Sequence, residues 1–392
     1  MQTSASAVSM KQEDSMGVMM TSTQLTKLWR PVVLFGILVV FLSASSVDAQ
    51  TVKDLPPPPP LWKAKPTPPP KPPEQEVLDV VKVSSNLVMV PVSVTDSQGQ
   101  AVTGLQVADF KLEEEGQQQE IAEIGNPEQV PLDIAVLFDV SSSVSNKGFF
   151  QFQQNAAAAF LRLVMKPNDR AAIFTIAGQA VMVQPLSSAQ VAASKVLAIP
   201  AATSSVPTAF YDTVSAAAKY LQDNSPSRNR RVIVVISDGD DNFSERIRDL
   251  SVAEARATLK GETTPAAALV SLQSKHRQAV QEVQQVVQKA DVTFYSVNPG
   301  GPSVHLNQIS TRAQNGMKSM ADATGGTAFV PNSDRDLEVV FSRVAAELRG
   351  QYLIQYYANA DTAPGQFRRI EVTTPARSDL RVKARQGYYS KK

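Results

Sequence analysis

The sequence predicts an α/β fold in which a doubly wound, mostly parallel sheet with helices on both faces is inserted into a small β-sandwich. Two apolar runs rich in β-branched residues, 132–138 and 231–236, are typical of strands buried on both faces of a parallel sheet. Segments with helical spacing alternate with strands between residues 128 and 350. On both sides of this region apolar residues recur at every second position, which indicates a β-sandwich.

The N-terminal segment, residues 1–49, has the features of a secretory signal peptide. Lys27 and Arg30 precede a short apolar run, 31–43, and small residues stand before a possible cleavage site after Ala49. The run is shorter than the about 20 residues that span a membrane. We therefore expect an exported protein, located in a periplasm, at the cell surface or outside the cell. An uncleaved anchor that tethers the chain to a membrane is the alternative.

Residues 50–77 form a predicted proline-rich linker, because the density of proline between Pro56 and Pro73 favours an extended polyproline II rod without a packed core. Its expected role is that of a spacer, and binding to a proline-recognising domain is the alternative. Residues 78–127 then form the N-terminal part of the β-sandwich. A strand is predicted at 86–95, and a hairpin with arms at 109–113 and 119–124 around Glu115-Gly116.

The central domain, residues 128–350, is predicted to alternate between strands and helices. Besides the two buried strands, we expect strands at 171–177, 180–184, 291–297 and 326–330, and helices at 149–165, 188–199, 209–222, 272–289, 309–323 and 334–350. Right-handed crossovers between parallel strands then give a Rossmann-like doubly wound sheet. Residues 243–267 exceed what the connection requires, so we expect a surface loop there, either a recognition loop or an insertion without a partner.

The C-terminal segment, residues 351–392, completes the β-sandwich with strands at 351–357, 367–373 and 380–385. The chain enters the central domain near Pro131 and leaves it near Gly350. In a sheet that carries ligands at the carboxyl ends of its strands, these two points lie at the opposite edge. We therefore expect the two flanking segments to meet there, away from the functional edge.

The most informative motif is Asp139-Val140-Ser141-Ser142-Ser143, which follows the first buried strand at the edge where open α/β sheets bind ligands. It offers one carboxylate and several hydroxyls, a set of oxygen donors that suits Mg²⁺, Mn²⁺ or Ca²⁺. The alternative is an ordinary helix N-terminus that a serine caps. Two further sequences favour the cation site, since Thr208 opens a helix and Ser237-Asp238-Gly239 follows the second buried strand.

This ordered set of motifs resembles the metal-ion-dependent adhesion site of von Willebrand factor A domains. Residues 86–124 also resemble the segment that precedes the A domain in exported bacterial A-domain proteins of the acidobacterial type. The resemblance implies that the hydroxyls of Ser141, Ser143 and Thr208 ligate a divalent cation directly. It implies that Asp139 and Asp238 hold the cation through water or alternate as direct ligands.

A cation held mainly by neutral hydroxyls keeps positive charge and an open coordination position, so the resemblance implies binding of a carboxylate from a protein partner rather than catalysis. We therefore expect an exported, metal-dependent adhesion or interaction protein that is not an enzyme. The alternative is a structural or assembly scaffold that keeps the fold while its metal site is vestigial. One departure concerns the loop before Thr208, where Ser204-Ser205-Val206-Pro207 replaces the small residues, often Gly-Gly, of relatives.

The composition argues against several other functions. The formal net charge is +1, so no global field attracts nucleic acid. The chain has no Cys, and neither His276 nor His305 has a companion at ligand spacing, which argues against zinc sites and hydrolase triads. We expect His276 to lie on a polar helix face. Asp240 and Asp241 are expected to form a solvated turn, or else to enlarge the cation site.

Overall fold

The computed structural model describes residues 86–141, 150–202, 206–301, 308–333, 336–358 and 363–390. The predicted signal peptide and proline-rich linker lie outside these ranges, as do Ser143 and His305. Within these ranges, no helix is both long enough and apolar enough to cross a membrane.

The N-terminal flank contributes the strands β1 (Leu87–Thr95), β2 (Lys111–Glu114), β3 (Gln117–Gln119) and β4 (Ile121–Gly125). β2 and β3 form an antiparallel hairpin, and its turn holds Glu115 and Gly116 at φ of 52° and 76°. Tight hairpin turns need this left-handed conformation, which glycine adopts readily. The predicted second arm, 119–124, is wrong in part, because the chain crosses to another sheet at Glu120 and β4 pairs with a C-terminal strand.

The central sheet consists of β5 (Leu132–Asp139), β6 (Arg170–Ile176), β7 (Ala180–Ser187), β8 (Arg230–Ile236), β9 (Val292–Val297) and β10 (Ala328–Phe329). The strand order is β10-β9-β8-β5-β6-β7, and all neighbours are parallel except β7, which is antiparallel to β6. Every residue of β5 and β8 is buried. Along β5, Val136 and Phe138 pack into one core while Leu137 packs into the other. This is the arrangement expected of a strand covered on both faces.

Helices cover both faces of the sheet, which confirms the predicted doubly wound α/β fold. They are α1 (Phe150–Val164), α2 (Ala189–Leu197), α3 (Phe210–Asn224), α4 (Glu245–Leu259), α5 (Pro265–Lys289), α6 (Gln308–Thr324) and α7 (Leu337–Arg349). α1, α2 and α7 pack on one face, and α3 to α6 pack on the other.

The recognition loop expected at 243–267 is instead mostly helix, since α4 and the first turn of α5 occupy this region, while the alternative of a surface insertion stays a prediction. α5 begins at Pro265 after the N-cap residue Thr264, whose hydroxyl accepts a hydrogen bond from the N–H of Ala267 at 3.2 Å. This start signal is present in the sequence. α4 gives a weaker signal, because Ile247 is the one buried hydrophobic residue among its described side chains. The described side chains of α4 therefore show no apolar stripe of the kind by which surface helices are recognised.

The C-terminal flank contributes β11 (Tyr352–Tyr357), β12 (Phe367–Thr373), β13 (Arg381–Ala384) and β14 (Gly387–Tyr389). Together with the N-terminal strands they form two four-stranded sheets, in the orders β13-β1-β11-β4 and β14-β12-β2-β3. Side chains of both sheets share one hydrophobic core. The central domain is therefore inserted into a β-sandwich built from both flanks, as predicted, while the boundaries proposed for the individual segments stay predictions.

The core of the sandwich contains a buried carboxylate, Glu114 of β2, which is 1% exposed. Arg368 donates to its Oε1 atom from Nε at 2.9 Å and from Nη2 at 2.7 Å. The hydroxyls of Tyr356 and Tyr388 donate to its Oε2 atom at 2.5 and 3.2 Å. The charge is thus paired and fully hydrogen-bonded, which is the condition under which a buried carboxylate is tolerated.

Arg230, the first residue of β8, joins the points where the chain enters and leaves the central domain. Its Nη1 atom donates to the carbonyl oxygen of Leu348 at 2.7 Å, and its Nη2 atom donates to that of Pro127 at 3.2 Å. Its backbone N–H donates to the carbonyl oxygen of Pro131 at 2.9 Å. Entry and exit therefore lie together at the amino edge of the sheet, as the topology predicted.

Candidate metal centre

The first part of the candidate site is Asp139, which ends β5 and is completely buried. Its Oδ1 atom accepts a hydrogen bond from the N–H of Ser141 at 2.7 Å, and its Oδ2 atom accepts one from the hydroxyl of Ser237 at 2.5 Å. Burial, and then the nearby charge of Asp238, raise the pKa of Asp139 from 3.8 to about 6. Positive charge placed beside such a carboxylate would stabilise its ionised form.

The turn after β8 brings the second carboxylate to the same edge. The buried hydroxyl of Ser237, which donates to Asp139, also accepts the N–H of Gly239 at 2.9 Å, so it joins the ends of β5 and β8. Asp238 follows and is half-buried, with its Oδ1 atom 3.3 Å from the N–H of Asp240. Gly239 has φ of 77°, and a Cβ atom there would lie 2.6 Å from Cε of Met317. The turn therefore favours glycine for its conformation, and a Cβ atom would also displace the side chain of Met317.

Thr208 is held against the turn after β8 by its backbone. Its N–H donates to Oδ1 of Asn242 at 2.9 Å, and its carbonyl oxygen accepts the N–H groups of Asn242 and Phe243 at 3.1 and 3.0 Å. The next residue, Ala209, donates its N–H to the carbonyl oxygen of Ala177 after β6 at 2.7 Å. The side chain of Thr208 is 4% exposed. The loop before α3 thus lies directly beside the loop that carries Asp238.

The expected solvated turn at Asp240 and Asp241 is wrong for Asp241, which is 2% exposed. Its carboxylate accepts the N–H groups of Tyr211, Phe243 and Ser244 at 2.8, 3.2 and 3.0 Å, and the hydroxyl of Ser244 at 2.5 Å. Burial raises the pKa of Asp241 even though these bonds favour its charged form. Asp241 therefore joins the first turn of α3 to the residues that lead into α4.

Asp240 forms an ion pair with Arg312 of α6, with Nη2 and Oδ1 separated by 3.6 Å. Burial and then the charge of Asp238 raise the pKa of Asp240. The carboxylates after β8 therefore differ in role, since Asp241 is held by helix N-termini and Asp240 by an arginine. Asp238 has neither kind of partner among the described hydrogen bonds and ion pairs.

His276 lies on the buried face of α5, so the expectation of a polar face is wrong. It is 2% exposed, and its Nδ1 atom is 3.5 Å from the hydroxyl oxygen of Tyr211. Burial, and then the charge of Arg312, lower the pKa of His276 from 6.5 to about 4. The imidazole is therefore a neutral core group.

Four of the predicted ligands lie among the described residues, and all of them offer oxygen atoms. Asp139 and Asp238 supply carboxylates, and the buried residues Ser141 and Thr208 supply hydroxyls. Ser143, the fifth predicted ligand, lies outside the described residues. Across the described ranges, no cluster of three or more His, Cys, Asp or Glu side chains is arranged to hold a metal. A cation here would depend on hydroxyl ligands as well as on the two carboxylates. This donor set fits the hard cations Mg²⁺, Mn²⁺ and Ca²⁺.

Solved structures that the chain is similar to include proximal thread matrix protein 1 from the mussel byssus, described with a zinc-occupied MIDAS motif. It is 16% identical with a TM-score of 0.38, and the match covers 59% of this chain and 48% of that one. The von Willebrand factor domain of the type V pilus tip protein Mfa5 from Porphyromonas gingivalis is 12% identical with a TM-score of 0.35, covering 55% and 94% of the two chains. For the PilB minor pilin of Streptococcus sanguinis the identity is 14%, the TM-score 0.39, and the coverage 57% and 62%.

The chain spans about half the length of the mussel protein that it matches. A comparison with curated protein sequences finds no match. The family comparison does give a match, to the von Willebrand factor type A domain over residues 134–240. The matched stretch runs from β5 through Asp139, Thr208 and Asp238. With the six-stranded sheet and its two helix layers, this match shows that the chain contains a von Willebrand factor type A domain.

Proposed function

We propose that this chain is an exported protein that binds a divalent cation at the carboxyl edge of its A domain and, through the cation, captures a carboxylate of a protein partner. The cation would be Mg²⁺, Mn²⁺ or Ca²⁺, and its ligands would be Asp139, Ser141, Ser143, Thr208 and Asp238. When bound, it would supply positive charge at an open coordination position.

The observation that carries this proposal is the unbalanced charge of Asp139. The carboxylate is completely buried, it lies close to a second carboxylate, and burial raises its pKa to about 6. Its described hydrogen-bond donors, the N–H and the hydroxyl of Ser141 and the hydroxyl of Ser237, are all neutral groups. A divalent cation shared by Asp139 and Asp238 would remove both the burial penalty and the mutual repulsion.

The placement of the site also favours capture of a large partner. The β-sandwich is attached at the amino edge of the sheet, where Arg230 contacts Pro127 and Leu348. Asp139 and Asp238 lie at the other ends of β5 and β8. The flanking strands therefore leave the candidate metal edge to the loops of the A domain, where recognition surfaces are usually found.

Cation binding is tested by thermal unfolding in EDTA and then with millimolar Mg²⁺, Mn²⁺ or Ca²⁺. Linkage predicts stabilisation of about 2.7 kcal/mol when the cation is at a hundred times its dissociation constant. We expect Asp139→Ala and Asp238→Ala to abolish the shift, and Asp249→Ala, which replaces an exposed aspartate on α4, to keep it. A shift of equal size in all four proteins would place the cation elsewhere.

Carboxylate capture is tested by calorimetric titration with a short peptide that contains one aspartate and with the same peptide carrying asparagine instead. We expect heat of binding for the aspartate peptide in the presence of the cation and none in EDTA. Equal binding of both peptides, or binding that EDTA leaves unchanged, would favour the scaffold alternative, in which the metal site is vestigial.

Export is tested by determining the N-terminus of the protein recovered outside the cytoplasm. Cleavage after Ala49 predicts a chain that begins at Gln50. A membrane-bound product that retains residues 31–43 would instead support the anchor.

A further inference from the structure

The candidate metal edge continues into a surface formed by Pro207, Phe243 and Arg248, which we call the Phe243 surface. Pro207 and the ring of Phe243 both lie against Gly178, between β6 and β7. A Cβ atom at Gly178 would be 3.2 Å from Cγ of Pro207 and 3.6 Å from Cδ1 of Phe243. Because Pro207 directly precedes Thr208, the surface begins beside a candidate metal ligand and includes the proline that makes the loop before Thr208 unusual.

The backbone of Phe243 is fixed relative to the candidate metal ligand Thr208. Its N–H donates to the carbonyl oxygen of Thr208 at 3.0 Å and to Oδ1 of Asp241 at 3.2 Å. The side chain of Phe243 nevertheless stays partly exposed. A rigid, partly exposed aromatic ring offers a large contact area and loses little conformational entropy on binding, which suits it to recognition.

Arg248, near the start of α4, places its guanidinium group over the ring of Phe243. Its Cζ atom lies 5.4 Å from the ring centroid, within the range of a cation–π contact, and its side chain is 44% exposed. Its Nε atom donates to Oδ1 of Asp249 at 3.2 Å, whereas the described hydrogen bonds include none from its Nη1 and Nη2 atoms. The ring therefore orients an exposed pair of donors whose geometry matches a carboxylate.

The charge of Arg248 is only loosely compensated. Its ion pair with Asp249 is exposed to solvent, since the side chain of Asp249 is 71% exposed, and exposed ion pairs are weak. Asp249 also contacts Nε, so a carboxylate that binds Nη1 and Nη2 does not have to displace it. By contrast, Arg312 at the same edge pairs with Asp240, and its side chain is only 20% exposed. Arg248 is thus the better placed of these two arginines to contact a partner.

We propose that the Phe243 surface is a second recognition point beside the cation, at which Arg248 binds a second carboxylate of the same protein partner. This inference rests on the proposed function, in which a first carboxylate binds the cation. A cation accepts a carboxylate from any exposed aspartate or glutamate and therefore discriminates little between proteins. An oriented arginine next to it selects acidic segments that carry two carboxylates over segments that carry one.

The proposal is tested by calorimetric titration of the full chain with pairs of peptides, in whichever of Mg²⁺, Mn²⁺ and Ca²⁺ stabilises the chain most. Both peptides of a pair contain one aspartate, and a second position carries aspartate in one peptide and asparagine in the other. Placing the second position one to three residues before or after the first covers separations of up to about 10 Å in an extended segment. We expect at least one pair in which the second aspartate strengthens binding about threefold to tenfold.

Three variants locate the origin of this preference. Arg248→Gln is expected to bind both peptides of that pair equally, because the donors for the second carboxylate are lost. Arg256→Gln is the matched control, since it removes the same charge from an exposed position later in α4, and it is expected to keep the preference. Phe243→Leu removes the ring that orients Arg248, so its preference is expected to be smaller. The two arginine variants should unfold at the midpoint of the wild type in EDTA, because both side chains are exposed.

Two results would overturn this inference and leave the proposed function intact: equal binding within every pair of peptides, or a preference that Arg248→Gln retains. A preference that Arg256→Gln abolishes as well would assign it to general attraction between charges and would also overturn the inference. If none of the peptides binds in the presence of the cation, the proposed function fails and this inference fails with it.

Discussion

Replacing Asp139 by asparagine is expected to change stability in opposite directions with and without a divalent cation. In EDTA the substitution removes a buried negative charge that lies beside a second carboxylate. With a cation bound, it removes a ligand. A purely structural aspartate would instead destabilise the protein in both conditions when replaced.

The size of the effect in EDTA follows from the raised pKa. Folding raises the pKa of Asp139 from 3.8 to about 6. At about 1.4 kcal/mol per pH unit, keeping this carboxylate ionised in the folded state at neutral pH costs about 3 kcal/mol. Asparagine avoids this cost, and its Oδ1 atom can still accept the N–H of Ser141. The hydroxyl of Ser237 has to reorient, so we expect a net gain of about 1–3 kcal/mol in the free energy of unfolding.

The assay is urea unfolding at neutral pH, in EDTA and in saturating Mg²⁺, of the wild type, Asp139→Asn and Asp249→Asn. Asp249 is an exposed aspartate on α4, with a side chain that is 71% exposed, so its replacement is expected to change little in either condition. The reasoning is refuted if Asp139→Asn is less stable than the wild type in EDTA. It is also refuted if the variant gains as much stability from Mg²⁺ as the wild type does.

Three further substitutions test other buried groups. Asp241→Ala is expected to destabilise the protein by about 2–4 kcal/mol in urea unfolding, since it leaves the N–H groups of Tyr211, Phe243 and Ser244 without their acceptor; a change below 0.5 kcal/mol would contradict this role. Glu114→Gln is expected to cost about 2–4 kcal/mol because it leaves Arg368 without its counter-charge, and the additional replacement Arg368→Gln should recover part of the loss. For His276, the folded protein has the lower pKa, about 4 against 6.5, so the folded state binds fewer protons between these values and stability falls as the pH is lowered through this window. His276→Gln should flatten that part of the profile, and an unchanged profile would mean that another group causes it.

The elements that the sequence predicts well are those whose residues carry a pattern of their own. β5 and β8 are continuous apolar runs, and the structure buries every residue of both. The turn at Glu115-Gly116 could be predicted because glycine is the residue that most readily adopts the left-handed backbone conformation of such turns. The carboxylates of Asp139 and Asp238 were placed at one edge by the rule that parallel strands end together.

His276 shows a signal that was present but was interpreted wrongly. The buried residues of α5 are His276, Ala279, Val280, Val283 and Val287, which recur at three- and four-residue spacing. His276 is the first member of this stripe, although Lys275 and Arg277 beside it suggest a polar face. The stripe predicts the burial of His276 correctly, because residues three or four apart lie on the same helix face, whereas immediate neighbours in the sequence do not.

Asp241 could not be distinguished from Asp238 and Asp240 by sequence, since all three acids follow one strand. Their roles depend on the groups that pack against them. Asp241 accepts a hydrogen bond from the N–H of Tyr211, whereas Asp240 forms an ion pair with Arg312. The same holds for Arg230, which donates to the carbonyl oxygens of Leu348 and Pro127, more than a hundred residues away along the chain. Such partners become known once the topology is known, because no local pattern encodes them.

Whether a helix end binds a charged side chain distinguishes Asp241 and Arg231 from the residues of the candidate metal centre. At the carboxyl edge of the sheet, N–H groups in the first turn of α3 and just before α4 hold the charge of Asp241. At the amino edge, helices end, and Arg231 binds the last carbonyl groups of α3 and α5, at Ser225 and Ala290. Asp139 lies at the carboxyl edge too, yet burial and the charge of Asp238 hold its pKa at about 6, so the described helix termini do not neutralise this pair. Helix ends thus hold the charges of Asp241 and Arg231, whereas no described helix end holds the charges of Asp139 and Asp238. This difference is why the proposed metal centre includes Asp139 and Asp238 and not Asp241.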